Sequence, residues 1–173
     1  TCSKLKSITI PASVISIGDS IFRDCDLLKT VTFSKNSSLE SISNSAFYSC
    51  DSLTNINIPD SVKNIGEYAF YYCTWLNLKE LPDNLTNIGK YAFFNCSGLT
   101  SLLVSSSVTN VGDSAFRQCY YLKRIDFGKN SKLESIGNNA FYYCESLTSI
   151  VIPDSVTSIG GWAFESCKSL TIY

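Results

Sequence analysis

Eight cysteines are the most reactive side chains in this 173-residue chain, and no histidine accompanies them. They stand at Cys2, Cys25, Cys50, Cys73, Cys96, Cys119, Cys144 and Cys167, always 23 or 25 residues apart. Thiols serve as nucleophiles, metal ligands or disulfide halves, and each use has its own spacing. No C-x-x-C pair is present, so the short-range redox and zinc motifs are missing. The lack of His removes the commonest general base and the commonest metal ligand together. Carboxylates such as Glu40, Asp60, Glu80, Asp126 and Glu134 are scattered without a recurring partner base, and they read as surface solvation. Without a nucleophile pair or a cofactor-binding loop, the chain reads as a non-enzyme with no cofactor and no metal. The regular spacing instead makes the cysteines one column of a repeat. Its members lie within Cα reach of a bridge between neighbouring units, but parallel inward-pointing side chains rarely have the dihedral a disulfide needs. The expectation is eight reduced, buried thiols that pack as small apolar groups. Adjacent disulfides or a metal site are the alternatives.

Contact chemistry is better represented. Ten tyrosines are many for this length. Tyr48, Tyr71, Phe94 and Tyr142 share one column, Tyr72 and Tyr143 share the next, and Tyr68, Tyr91 and Trp162 share a third. Stacked rings can cover the edge of a core, at about 0.5–1.5 kcal/mol per pair. They can also form a recognition stripe, because Tyr and Trp offer rigid contact area at low entropic cost. The two uses are compatible. Another column runs Thr9, Thr32, Asn57, Glu80, Leu103, Asp126 and Val151. It is polar in the early units, then apolar and charged. The candidate binding residues are therefore Tyr48, Tyr71, Phe94 and Tyr142 in the ring column, with Asn57, Glu80, Leu103 and Asp126 in the other. Asn-x-Ser/Thr sequons occur at Asn36, Asn84 and Asn95. They would carry glycans only in a secreted chain.

The elements that position these columns are short. Repeat units start at Leu5, Leu28, Leu53, Leu76, Leu99, Leu122 and Leu147, with an eighth begun at Leu170. Eight columns stay apolar: Leu, Ile, Ile, Val, Ile, Ala, Phe and Cys. The Phe column is unbroken through Phe22, Phe47, Phe70, Phe93, Phe116, Phe141 and Phe164. The stretch L-x-x-I-x-I is rich in β-branched residues and reads as a short strand. Pro11, Pro59, Pro82 and Pro153 stop it in four units, since Pro cannot donate to a ladder. The V-x-x-I-G stretch is a second short extended piece. A-F-x-x-C has room for about one helical or 3₁₀ turn. Two-residue insertions fall at one place, around Lys35-Asn36-Ser37-Ser38 and Lys129-Asn130-Ser131-Lys132, which marks a surface loop on one side of the stack. A unit this small buries its apolar side only against its neighbours. Lys79 occupies an apolar column, so Leu78 beside it is expected to turn inward through a local bulge. Ile21 replaces Ala in another.

The unit L-x-x-I-x-I-P-x-x-V-x-x-I-G-x-x-A-F-x-x-C resembles the BspA-like, or Treponema-type, leucine-rich-repeat family, and the likeness covers residues 2 to 173. The resemblance implies a right-handed leucine-rich-repeat solenoid. It would be mainly β, with short parallel strands, turns and brief 3₁₀ or helical turns, in seven full repeats of 23–25 residues. The chain begins at Thr1-Cys2, the tail of one unit, and stops at Tyr173, four residues into another. The expectation is a single array over residues 1–173 that belongs to a longer one, or whose ends a partner covers. Solenoid curvature commonly places the outward strand column on a concave binding face. The family likeness further implies a macromolecule-binding module: a cell-surface adhesin or host-interaction protein at the cell surface or outside the cell. Its partners would be proteins, such as host-matrix or cell-surface proteins. A cytoplasmic scaffold subunit of a larger assembly is the alternative. A net charge of −1 provides no global field for nucleic acid or an acidic membrane. No run of 18 apolar residues is present, so no membrane span is expected.

Overall fold

The computed structural model describes residues 2–171, and Thr1, Ile172 and Tyr173 lie outside the described residues. Each repeat unit is one coil of a parallel β-solenoid. The V-x-x-I-G stretches form one continuous seven-stranded sheet: Ser16–Ile17, Ser41–Ile42, Asn64–Ile65, Asn87–Ile88, Asn110–Val111, Ser135–Ile136 and Ser158–Ile159. Its register steps by 23 residues (Asn64↔Asn87) or 25 (Ser16↔Ser41), matching the unit lengths. Both insertions are absorbed in loops without disturbing the ladder. Asn36 and Asn130 sit there at φ of 60° and 55°, a left-handed conformation that Asn tolerates well.

The first strands do not form one sheet. Ser7–Ile10, Thr30–Phe33 and Asn55–Ile56 make one group of three, and Ser101–Leu103, Arg124–Asp126 and Ser149–Ile150 make another. The coil between them contains Lys79. There Leu78 turns inward, 5% exposed, while Lys79 faces solvent. This exchange costs the coil its strand, and only an isolated Glu80↔Leu103 bridge spans the gap.

The A-F-x-x-C segment is not helical, and among the described residues there is no helix at all, hence none able to cross a membrane. Its N–H groups alternate. In the second coil Ala46, Tyr48 and Cys50 donate three residues back, to Ser43, Ser45 and Phe47, while Ser45, Phe47 and Ser49 donate forward to the next coil, at Glu67, Ala69 and Tyr71. The forward donors two residues either side of Phe take positive φ, 54° at Ser45 and 51° at Ser49. With left-handed backbone at the two positions flanking Phe, alternate N–H groups point along the solenoid axis, so the corner becomes a third inter-coil ladder. The same conformation holds bulky Tyr68, Tyr72, Tyr91, Tyr143 and Trp162. It disfavours such residues locally by about 1–2 kcal/mol each, which the ladder bond must offset.

Inside run the apolar columns. The phenylalanines stack from Phe22 to Phe164 with centroids 5.2–5.5 Å apart and planes within 13° of parallel. Beside them run the cysteines, all unpaired. Each thiol from Cys50 to Cys167 donates to the Phe carbonyl of the preceding coil, for example Cys96 Sγ to Phe70 O at 3.1 Å. The column is therefore polar in function as well as small. Six thiols are buried, but Cys2 is exposed and Cys167 half-buried. The expectation of eight buried thiols is thus corrected at Cys2 and Cys167, which belong to the first and last described coils. Burial pushes the Cys50 and Cys119 thiols up to about 12 and Cys167 to about 11, and raises Cys73, Cys96 and Cys144 well above the ordinary 9.0. Close approach of coils also decides residue type at Gly89, where a Cβ would lie 2.5 Å from the Gly66 carbonyl carbon.

Candidate binding surfaces

The ring column sits directly after the buried phenylalanines, so the corner ladder fixes its spacing. Tyr48, Tyr71 and Phe94 stack face to face, 4.7 Å between successive centroids. Tyr68 and Tyr91 stack beside them at 5.0 Å, and Tyr72 lies across Tyr71 at 4.8 Å. Six rings of three coils thus form one cluster. Tyr142 does not join it, because Arg117 occupies the intervening coil. The Arg117 guanidinium lies 5.8 Å from the Phe94 ring and 4.7 Å from Tyr142, while Arg23 covers Tyr48 at 4.1 Å. The column is a continuous stack of Arg, three rings, Arg and ring. Its depth varies: Phe94 is 8% exposed and acts as a base for its neighbours, Tyr48, Tyr71 and Tyr142 are half-buried, and Tyr72 reaches solvent. Burial, then the neighbouring tyrosine hydroxyls, raises the Tyr71 phenol above its usual range.

The other column lies on the outer side of the first strands. Asn57, Glu80 and Leu103 are exposed, Leu103 at 45%, and Asp126 is half-buried. Asp126 is the most constrained. Its carboxylate accepts from Gly128 N at 2.9 Å and from Arg124 Nη2 at 2.7 Å, and the backbone bond, then the arginine, holds it below the usual carboxylate range. Asn57, Glu80 and Asp126 open onto grooves between the strand ends and the turns that follow. One of about 280 Å³ runs between Asn57–Asp60 and Glu80–Asp83. Another, of about 480 Å³, shares Asn57, Pro59 and Asp60 and continues to the insertion loop at Lys35 and Asn36. A third, about 270 Å³, lies between Asp126 and Asp154. Asp60, Glu80, Asp83, Asp126 and Asp154 give the grooves an acidic lining. Of the sequons, Asn36 and Asn84 are exposed, and Asn95 is half-buried with its Oδ1 accepting from Ser97 Oγ.

Six copies of the BspA type leucine-rich-repeat region match the sequence, over residues 1–123 and 40–171. The chain belongs to this family. The BspA-type array is similar in structure to the leucine-rich-repeat protein of T. pallidum, with a TM-score of 0.78 and 28% identity, over 93% of this chain and 74% of that one. It is also similar to a leucine-rich cell-surface protein of Faecalibacterium prausnitzii A2-165, with a TM-score of 0.67 and 32% identity, over 96% of this chain and 38% of that one. A leucine-rich-repeat protein of Eubacterium ventriosum shares the fold at 24% identity and a TM-score of 0.62, over 97% of this chain and 60% of that one. This chain therefore spans well under half of the Faecalibacterium protein. Among curated proteins, none matches. The repeat family points to a protein-binding module.

One surface of the BspA-type array escaped the sequence reading. Two residues after each cysteine stand Lys4, Leu27, Ser52, Trp75, Gly98, Tyr121, Ser146 and Ser169. Trp75 and Tyr121 are 68% and 63% exposed and flank Gly98 across a cleft of about 720 Å³. The signal was a pair of large rings in a column otherwise mostly small. It was passed over because that column is not one of the eight apolar ones.

Proposed function

We propose that this chain is the binding module of a cell-surface adhesin, which holds host-matrix or cell-surface proteins along its outward strand column. The observation that carries the reading is the column of Asn57, Glu80, Leu103 and Asp126: four side chains of different chemistry, one coil apart, on a frame ordered by two continuous inter-coil ladders and a third that breaks at Leu78–Lys79. Such a frame loses little entropy on binding. The adjoining acidic grooves favour partner segments carrying amide and basic groups. The half-buried Tyr48 and Tyr71, stacked with Phe94, add a second strip, which Arg117 continues to Tyr142. A surface location is supported by the likeness to the Faecalibacterium protein, which is described as a cell-surface protein.

Binding energy in this reading is spread over several coils. Replacing Asn57, Glu80, Leu103 or Asp126 singly by Ala is expected to weaken adhesion to a surface coated with extracellular-matrix proteins by about 1–2 kcal/mol at a true contact. Replacing all four should abolish adhesion while leaving the circular-dichroism spectrum and melting temperature nearly unchanged. Antibody to this segment should label intact, unpermeabilised cells that make the protein. Unaltered adhesion by the quadruple variant, or labelling only after permeabilisation, overturns the proposal.

A further inference from the structure

The Trp75–Tyr121 cleft lies apart from both columns above, and it has the form of a gap in a stack. Where rings of one column sit on consecutive coils, as Phe47 and Phe70, Tyr48 and Tyr71, or Tyr68 and Tyr91 do, their centroids lie about 5 Å apart. Trp75 and Tyr121 belong to one column but stand two coils apart, about 10 Å by the strand spacing. The intervening residue is Gly98, and its lack of a side chain is enforced. A Cβ there would lie 2.7 Å from the Leu76 carbonyl oxygen and the Trp75 carbonyl carbon. Gly98 N also donates to Thr74 O at 2.8 Å, which pins the floor of the gap to the coil of Trp75. The result is a cleft flanked by the exposed Trp75 and Tyr121, with Gly98 on its floor.

The collar of the slot is uncharged. Thr54, Asn55, Asn77 and Thr100 line it, with no Asp, Glu, Lys or Arg among the lining residues. Asn55 uses its Nδ2 on Thr54 Oγ1 at 3.3 Å, which leaves its Oδ1 as an acceptor. Asn77 is exposed and has no side-chain hydrogen bond among the described residues. Lys79, at the rim, donates to Thr100 Oγ1 at 3.3 Å.

From this geometry we infer that the cleft is a binding subsite for a neutral hexopyranose unit of a glycan, with the sugar ring held between Trp75 and Tyr121. A pyranose presents apolar C–H faces to aromatic planes and hydroxyls around its edge. Those hydroxyls match amides and hydroxyls that both donate and accept. No charged side chain is among the lining residues, and the Lys79 ammonium at the rim is held on Thr100 Oγ1, which suits an uncharged sugar. An apolar side chain of a protein partner would fill the slot but leave the polar collar facing it unmatched. This subsite does not depend on the protein-binding surface proposed above.

The test uses the purified chain with Trp162→Tyr, so that Trp75 is the only tryptophan. Tyr68 and Tyr91 already occupy the column of Trp162, so this change keeps the fold. Titration with neutral hexasaccharides of glucose, mannose and galactose is followed by Trp75 fluorescence and, independently, by calorimetry. At least one series is expected to saturate with a Kd below about 1 mM. Trp75→Ala and Tyr121→Ala, both at exposed positions, should each weaken calorimetric binding at least tenfold without altering the melting temperature. Absence of saturable binding by any of the three sugars overturns the inference. So does binding that survives both substitutions. If indole or a phenylalanine amide occupies the cleft and no sugar displaces it, the slot is a protein-docking pocket and the glycan assignment fails.

Discussion

Taking this chain from pH 7 to pH 10 sets its cysteines against its fold. An unfolded thiol with the ordinary pKa of 9.0 is about nine-tenths ionised at pH 10, which favours the unfolded chain by about 1.4 kcal/mol per cysteine. In the folded chain the Cys50 and Cys119 thiols are pushed up to about 12, and Cys73, Cys96 and Cys144 also lie well above 9.0, in each case chiefly by burial. The native state thus keeps protons that the unfolded state releases. The stabilisation is full below pH 9 and is lost as the pH climbs toward 12. For these five thiols, each fully buried, the loss at pH 10 comes to about 7 kcal/mol, within the range of a whole domain's stability. Tyr71 and Tyr120, whose phenols burial also raises, act in the same direction. The assay is urea unfolding followed by circular dichroism at pH 7 and pH 10. A Cys96→Ala, Cys119→Ala double variant separates the cysteines from other alkaline effects. It should be less stable at pH 7, having lost two packed sulfurs and their bonds to Phe70 and Phe93. Its loss between pH 7 and pH 10 should, however, be smaller by about 3 kcal/mol. Equal pH dependence in variant and parent would refute the argument.

Two further outcomes follow from the packing. Phe93→Ala removes a ring stacked on both sides, at 5.3 Å from Phe70 and from Phe116, and should cost about 3–5 kcal/mol in urea unfolding. Hydrogen exchange should show lost protection centred on the flanking coils, and a uniform loss along the chain would count against nearest-neighbour packing. A thiol reagent should label native Cys2 quickly and Cys167 slowly, leave the other six untouched, and label all eight after denaturation. Rapid labelling of Cys73 or Cys96, or disulfides in a non-reducing mass measurement, would contradict the burial described here.

The spacing of Leu, Ile, Phe and Cys was enough to read the coils, because a repeat can bury its apolar side only by aligning like with like. The 23- and 25-residue steps became the strand registers, and the two insertions became loops. Even the exchange of Leu78 for Lys79 was legible, since an apolar side chain one position away was the only means of keeping the core filled. What stayed hidden depended on relations between coils that no residue type announces. Nothing in Ser45, Tyr68 or Tyr91 signals a left-handed backbone; that conformation follows from the direction in which N–H groups must point to reach the next coil. Cysteine looked like a small apolar filler because its hydrogen bond requires a carbonyl from another unit, 26 or 28 residues earlier. Arg117 interrupts a column of rings by letter, yet in space it continues the stack, since a guanidinium is flat and lies over aromatic faces. Trp75, Gly98 and Tyr121 depart from the repeat in the same way: conspicuous by letter, and meaningful only once the coils are stacked. In a repeat array the columns that obey the pattern build the frame. The surfaces that distinguish one array from another therefore have to be sought where single coils break it, as at Leu78–Lys79, Arg117 and Gly98.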